Sequence, residues 1–235
     1  MTKCGKVYFA KPLILQYNIN MSHIYILDLL GTFVFACYGS YYALKKDFDI
    51  FGILVCAFLT AVGGGTIREL ILNHVPFYFF DMAYAEAIIA GIAFTIIIFK
   101  HFHRINRFML VLDGIGLVVF ALIGASKAHE MGFGLLPIVF FATVTSVGGG
   151  LLRDMVLNDV PEIMYKDFYA TVAILLGFTF WLGEKYANNI YFLNLLIVAF
   201  FIVRVLAIFY KVGLWKPKDE TFIGYLRETG RLFWR

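Results

Sequence analysis

The sequence has 235 residues, of which 61% are hydrophobic and only 15% are charged. Soluble domains carry about 25% charged residues, so this composition excludes an ordinary soluble domain and indicates a chain that lies mostly in lipid. The net charge of +4 does not indicate nucleic-acid binding, because the basic residues fall between apolar runs, as loop charges do. Three cysteines form neither a disulfide framework nor a metal site. The sequence also shows no nucleophile with a base, no set of metal ligands and no cofactor loop, so we expect no metal, no cofactor and no enzymatic activity.

Seven apolar runs have about the length of a transmembrane helix. They cover residues 24–44, 50–72, 82–99, 108–127, 133–157, 168–183 and 190–210. The sequence therefore predicts an all-α polytopic membrane protein with seven transmembrane helices. Residues 1–21 are predicted to form an N-terminal tail, and residues 212–235 a basic tail that lies against anionic membrane lipid.

The basic residues predict the orientation of the chain. With seven spans, 12 of the 20 Lys and Arg residues fall on one side of the membrane, 5 on the other and 3 within the spans. Because cytoplasmic loops carry the excess of Lys and Arg, we expect the N-terminus outside and the C-terminus in the cytoplasm. The chain is predicted to lie in the inner (plasma) membrane of the cell.

The sequence also contains an internal repeat. At an offset of 85 positions, residues 27–76 align with residues 112–161 without a gap. Three spans per repeat make the second copy enter the membrane from the opposite side, which is the arrangement of many transporters and related pores. We divide the chain into a first three-helix repeat (22–105), an inverted second repeat (106–187) and a seventh helix (188–211).

Each repeat has three consecutive glycines inside a predicted span, Gly63, Gly64 and Gly65 in the first and Gly148, Gly149 and Gly150 in the second. Each glycine costs about 1 kcal/mol relative to alanine in a helix interior. The triplets predict a kink or local unwinding that turns carbonyl oxygens towards an ion path. The alternative is that they only let neighbouring helices pack closely.

Three hydroxyls precede the triplets on the same spans, those of Thr60, Thr145 and Ser146. They are candidates to line the same path. Alternatively, each bonds to the backbone carbonyl one turn earlier in its own helix.

Charged residues inside the spans form a second symmetric set. Asp28 and Arg68 are predicted at matching depth near one mouth, and Asp113 and Arg153 near the other. Because an unpaired charge in the membrane is costly, we predict one Asp/Arg pair at each mouth, with a structural or a gating function. Arg204 is expected to reach up to the nearby cytoplasmic surface.

The doubled motif Gly-Gly-Gly-x-x-Arg-(Asp/Glu), followed by Leu-Asn-x-Val-Pro, resembles the prokaryotic members of the trimeric intracellular cation (TRIC) channel family. The resemblance implies a homotrimer with a potassium-permeable pore in each protomer, lined by kinked second and fifth helices at Gly63 to Gly65 and Gly148 to Gly150. Potassium or another monovalent cation is then the expected partner. Bacterial proteins with the same repeat are also labelled presumptive glycine transporters, so a secondary transporter for a small neutral amino acid is the alternative.

Overall fold

The protein is described by a computed structural model that covers residues 19–101, 106–165 and 168–210. These residues form eight α-helices and two single-turn 3₁₀-helices, and they contain no β-strand. The α-helices are α1 (Ile19–Lys45), α2 (Ile50–Ile71), α3 (Met82–His101), α4 (Asn106–Glu130), α5 (Leu135–Val156), α6 (Glu162–Tyr165), α7 (Ala170–Leu182) and α8 (Ile190–Tyr210). The all-α class is confirmed. Most of the N-terminal tail and all of the basic tail predicted at residues 212–235 lie outside the described residues.

Six of the α-helices, α1 to α5 and α8, are long and apolar enough to cross a membrane. The prediction of a span over residues 168–183 is met only by α7, which has 13 residues. At 1.5 Å per residue α7 is about 20 Å long, shorter than a hydrocarbon layer of about 30 Å. Gly183 caps it, and the backbone continues as a 3₁₀ turn. The count of seven spans therefore stays a prediction.

The two repeats contact each other reciprocally. α1 packs against α2, α3 and α4, and α4 packs against α5, α7 and α8. A Cβ atom added to Gly31 of α1 would lie 3.1 Å from the ring of Phe120 on α4, and one added to Gly116 of α4 would collide with the ring of Phe35 on α1. Both contact pairs are related by the offset of 85. Such an exchange of partners is the signature of a twofold axis, here between the repeats.

The glycine triplets make the central contact between α2 and α5. A Cβ atom at Gly64 would collide with the carbonyl oxygen of Thr145, and one at Gly149 with the carbonyl oxygen of Thr60. Because the earlier residue of α2 faces the later residue of α5, the two helices run antiparallel, as an inverted repeat requires. Small residues allow this close approach of two backbones.

Neither helix unwinds at its triplet. α2 and α5 stay α-helical from Ile50 to Ile71 and from Leu135 to Val156, so the expectation of local unwinding was wrong. Inside a membrane every freed backbone group costs several kcal/mol, which exceeds the weak helix propensity of glycine. In the described structure the triplets act as a packing surface, which is the alternative that their sequence left open.

Both helices end in the same way. Asn73 and Asn158 adopt positive φ angles of 56° and 53°. The next amide then turns back, and the nitrogen of His74 donates to the carbonyl of Glu69 at 2.8 Å, as that of Asp159 does to Asp154 at 3.0 Å. Asparagine tolerates this left-handed conformation better than most residues. The repeated Leu-Asn-x-Val-Pro motif is thus a helix stop that brings the following loop back over the helix end.

We expect Gly149→Ala to lower the free energy of unfolding by about 1–3 kcal/mol, because the new methyl group meets a backbone carbonyl that cannot rotate away. Unfolding in mixed micelles, followed by circular dichroism during an SDS titration, measures this change. Gly150→Ala is the matched control, since its Cβ would lie 3.7 Å from the nearest atom, Tyr169 Oη. Equal losses for the two variants would contradict the packing function of the crossing.

Candidate functional site

Two clusters of mostly buried side chains, polar except for Phe77, lie where α2 and α5 end. The first cluster contains Asp28, Arg68, Glu69, Phe77 and Tyr84. The second cluster contains Tyr38, Tyr42, Asp113, Arg153, Asp154, Glu162, Tyr169 and Arg204. Both arginines of the predicted pairs are almost fully buried, with 5% of Arg68 and 1% of Arg153 exposed. The two clusters are the candidate site.

Each arginine at the end of α2 or α5 pairs with the carboxylate that follows it in the chain. Arg68 Nη2 lies 2.7 Å from Glu69 Oε1, and Arg153 Nη2 lies 2.6 Å from Asp154 Oδ1. In both cases Nε donates to the same oxygen at 2.9 Å. The predicted direct pairs, Asp28 with Arg68 and Asp113 with Arg153, are therefore corrected. The physical reason is that the adjacent carboxylates are buried as well and need the guanidinium as their own counter-ion.

The two aspartates are held by tyrosines instead. Tyr84 Oη donates to Asp28 Oδ2 at 2.7 Å, and Tyr169 Oη donates to Asp113 Oδ1 at 3.0 Å. Tyr84 precedes Tyr169 by the same 85 positions that relate the two aspartates. Extending the repeat alignment beyond residue 76 would have found this pair of tyrosines, which the sequence interpretation missed.

Glu162, at the start of α6, belongs only to the second cluster. Its carboxylate accepts hydrogen bonds from Tyr38 at 3.1 Å and from Tyr42, and it lies 3.4 Å from Arg153 Nη2. Its backbone nitrogen donates to Asp154 Oδ2 at 2.8 Å. α6 is thereby tied to both α1 and α5 through buried polar contacts.

The first cluster has an aromatic ring where the second has this carboxylate. Phe77 precedes Glu162 by 85 positions, and its ring centroid lies 5.8 Å from Arg68 Cζ and 4.5 Å from the ring of Tyr84. The two clusters are therefore equivalent in backbone but different in charge and polarity.

Arg204 of α8 also belongs to the second cluster. Its Nη2 lies 3.7 Å from Asp113 Oδ2, its guanidinium lies over the Tyr169 ring at 4.8 Å, and Nη1 donates to the Phe168 carbonyl at 3.4 Å. With 2% of the residue exposed, the expectation that Arg204 reaches the membrane surface was wrong. Gly114 leaves room for the Arg204 side chain inside the protein, because a Cβ at this position would lie only 3.0 Å from Arg204 Cγ.

The candidate hydroxyls behave differently from one another. Thr60 Oγ1 donates to the Cys56 carbonyl at 2.6 Å, and Ser146 Oγ donates to the Thr143 carbonyl at 3.0 Å, so both form the bond within their own helix. Thr145 Oγ1 is buried and makes no hydrogen bond with any described residue. Of the three, Thr145 is the one whose hydroxyl is available to another group.

We expect Arg153→Met to lower the free energy of unfolding by about 3–5 kcal/mol, because it removes the guanidinium that neutralises the buried Asp154 carboxylate. The SDS titration measures this loss. Lys46→Ala is the control, since the Lys46–Asp159 ion pair of 2.6 Å joins side chains that are 41% and 38% exposed; it should cost about 0–1 kcal/mol. A small loss for Arg153→Met would show that the second cluster does not hold the helix ends together.

Sequence comparisons identify relatives of the whole repeat region. A family model described as a glycine transporter matches residues 25–100 and again residues 110–185. The UPF0126 inner membrane protein YadS of Escherichia coli K12 is 40% identical over 156 residues, which cover 66% of this chain and 75% of the relative. The UPF0126 membrane protein YvgT of Bacillus subtilis is 30% identical over 205 residues, covering 84% and 96%.

Solved structures give the same relationship. A TRIC cation channel from a study of conductance is 33% identical with a TM-score of 0.74, and the match covers 82% of this chain and 96% of that one. The TRIC trimeric intracellular cation channel orthologue from Rhodobacter sphaeroides is 30% identical with a TM-score of 0.75, covering 81% and 100%. These neighbours are channels and the relatives are named as membrane proteins, so the prediction that the chain is not an enzyme is confirmed. The chain belongs to the membrane-protein family of the prokaryotic TRIC channels, to which the glycine-transporter model also refers.

Proposed function

We propose that the protein is a monovalent cation channel, that potassium is its main permeant ion, and that each protomer of a homotrimer contains its own ion path. The observation that carries this proposal is the match to a TRIC cation channel at 33% identity over 82% of the chain. The trimer is supported by the Rhodobacter sphaeroides relative, which is described as trimeric.

We propose that the ion path follows α2 and α5 from the first cluster to the second, past the glycine crossing. The triplets Gly63 to Gly65 and Gly148 to Gly150 expose backbone rather than side chains there, and Thr60, Thr145 and Ser146 lie beside them. The unbonded hydroxyl of Thr145 supports this placement, since a buried hydroxyl normally has a partner. Because Gly64 and Gly149 touch the opposite backbone in this conformation, conduction requires α2 and α5 to separate or slide at the crossing.

The charges of the two clusters favour cations. In the first cluster two carboxylates, Asp28 and Glu69, face one guanidinium. In the second, three carboxylates face the two guanidinium groups of Arg153 and Arg204. Among the described residues, carboxylates outnumber guanidinium groups at each mouth, which favours cations over anions, and a narrow low-dielectric opening strengthens this effect.

The description of the family model favours a second candidate, a carrier for a small neutral amino acid such as glycine. A carrier of this kind commonly binds the substrate carboxylate at the N-terminus of a broken helix. The helices after Gly65 and Gly150 are not broken, so the expected carboxylate site is missing from the described residues. The continuity of α2 and α5 therefore favours the channel.

We expect the purified full chain in planar bilayers to give single-channel currents, with a bi-ionic reversal potential that favours potassium over chloride. A channel has a continuous wet path with weak sites, so the current should not saturate at low potassium concentration. Protein-free bilayers are the control. Saturable glycine uptake into vesicles in the absence of unitary currents would reject the channel in favour of the carrier.

We propose an inner-membrane location with the N-terminus outside and the C-terminus in the cytoplasm. The YadS relative is named as an inner membrane protein, and the orientation follows from the distribution of Lys and Arg. The binding of anionic lipid by residues 212–235 stays a prediction, because these residues lie outside the described part of the chain.

Labelling of single cysteines tests the orientation. In a variant whose three native cysteines are replaced with alanine, Asn188→Cys should react with a membrane-impermeant maleimide in intact spheroplasts. Lys45→Cys, at an exposed position that ends α1, should react only after the membrane is permeabilised. The reverse pattern would invert the topology.

A further inference from the structure

We propose that Asp28 and Tyr84 form a binding site for a monovalent metal cation at the mouth of the path, and that Arg204 fills the equivalent site in the second repeat. The identity of the ion rests on the proposed function, whereas the existence of the site does not. The site is a partly dehydrated one, made of a carboxylate and a phenolic oxygen.

The Asp28 carboxylate is held by a tyrosine and not by a basic side chain of the described residues. The residue is partly exposed, and Tyr84 donates to Oδ2. Its charged neighbours are Arg68 and Glu69, but Arg68 directs Nε and Nη2 at Glu69 Oε1. In the part of the chain that the structure describes, no basic nitrogen lies within ion-pair distance of Asp28. A membrane carboxylate in this situation needs a cation or water.

The second repeat contains the same aspartate and tyrosine together with a cation. Asp113 is the counterpart of Asp28, and Tyr169, which donates to it, is the counterpart of Tyr84. Here a positive charge is present, because Arg204 Nη2 lies 3.7 Å from Asp113 Oδ2 and the guanidinium lies over the Tyr169 ring. The same carboxylate and tyrosine arrangement therefore holds a cation where the chain itself supplies one.

Among the described residues, the chain supplies that cation only in the second repeat. Arg204 belongs to α8, which lies outside the two repeats and packs on α4 and α7. Its side chain passes over Gly114, and the residue 85 positions earlier is Leu29. The first repeat therefore lacks the glycine beside which the arginine stem passes in the second. Among the described residues the first repeat thus keeps the carboxylate and the tyrosine but has no tethered cation.

The ligand class follows from the donor set. One carboxylate and one phenol provide hard oxygen ligands but a single uncompensated negative charge. Calcium needs six to eight oxygen ligands, and magnesium needs a nearly regular octahedron and loses its water reluctantly. A potassium ion that keeps several of its water molecules fits this site better. Weak binding of this kind also allows the ion to leave, as conduction requires.

Thermal unfolding of the purified full chain in detergent tests the site without any need for transport. At constant ionic strength, replacing N-methyl-D-glucamine chloride with potassium chloride should raise the Tm of the wild type, and Asp28→Asn should remove this shift. Asp81→Asn is the matched control. Asp81 also accepts from a tyrosine, Tyr25 at 2.5 Å, but its other oxygen accepts from the Ala83 nitrogen, so its variant should keep the potassium shift.

The complementary variant is Arg204→Gln. Removing the guanidinium that lies 3.7 Å from Asp113 should make the Tm depend more strongly on potassium than in the wild type, because an ion from solution can then take its place. An equal loss of Tm in both salts would overturn the equivalence of Arg204 and the bound ion. A full potassium shift in Asp28→Asn would overturn the site itself.

Current measurements separate this proposal from the proposed function. If the wild type conducts, Asp28→Asn should lower the current carried into that mouth at low salt, by a factor that shrinks as salt screens the charge. A potassium shift that depends on Asp28 in a protein that carries no current would leave the site standing and reject the channel. Unaltered current at low salt together with an unaltered Tm shift would reject the site and leave the channel standing.

Discussion

The rest of the structure depends on the backbone-to-backbone contact that the glycines allow at the centre of α2 and α5. Lipid tails are as apolar as leucine side chains, so the hydrophobic effect does little to join two helices in a membrane. Close van der Waals contact must replace it, and glycine gives the closest approach. Because Gly64 lies against Thr145 and Gly149 against Thr60, the contact also sets the register and the antiparallel direction of the two helices.

The ends of the two helices follow from this crossing. Arg68 and Arg153 each lie about one turn beyond a triplet, and each is neutralised by the next residue of its own helix. Neither arginine therefore relies on its distant aspartate for charge balance. The aspartates are left to interact with tyrosines and with whatever positive charge is near, which is Arg204 in the second repeat. Because the arginines pair locally, the carboxylates that neutralise them are different from those that the tyrosines hold.

The repeat made much of this fold predictable from sequence. It indicated which glycines, arginines and aspartates are equivalent, and six of the seven predicted spans correspond to helices of sufficient length. It did not indicate that α2 and α5 stay helical, because propensity describes the isolated chain whereas the membrane penalises every broken backbone bond. α7 is three residues shorter than the predicted run of residues 168–183, because Phe168 and Tyr169 precede the helix and Gly183 caps it.

The side chains that make up the two clusters were predicted less well than the helices. Glu69 and Asp154 point about 100° away from the arginines on an ideal helix, yet their side chains curve back to them. Glu162 comes from the short helix α6 and Arg204 from a helix outside the repeats, so no periodicity connects either to Arg153 or Asp113. Tyr84 and Tyr169 carried a detectable signal, because they share the offset of 85.

The replacement of Phe77 by Glu162 at equivalent backbone positions gives the molecule a direction. Two identical inverted repeats would by themselves look the same from either face of the membrane, so only α8 and differences between the repeats can distinguish the two faces. Here both loops rest on the same asparagine helix stop, so divergence of one side chain changed the chemistry of one face and left the backbone of the other intact. The two faces can therefore be selected separately, each for the solution it meets.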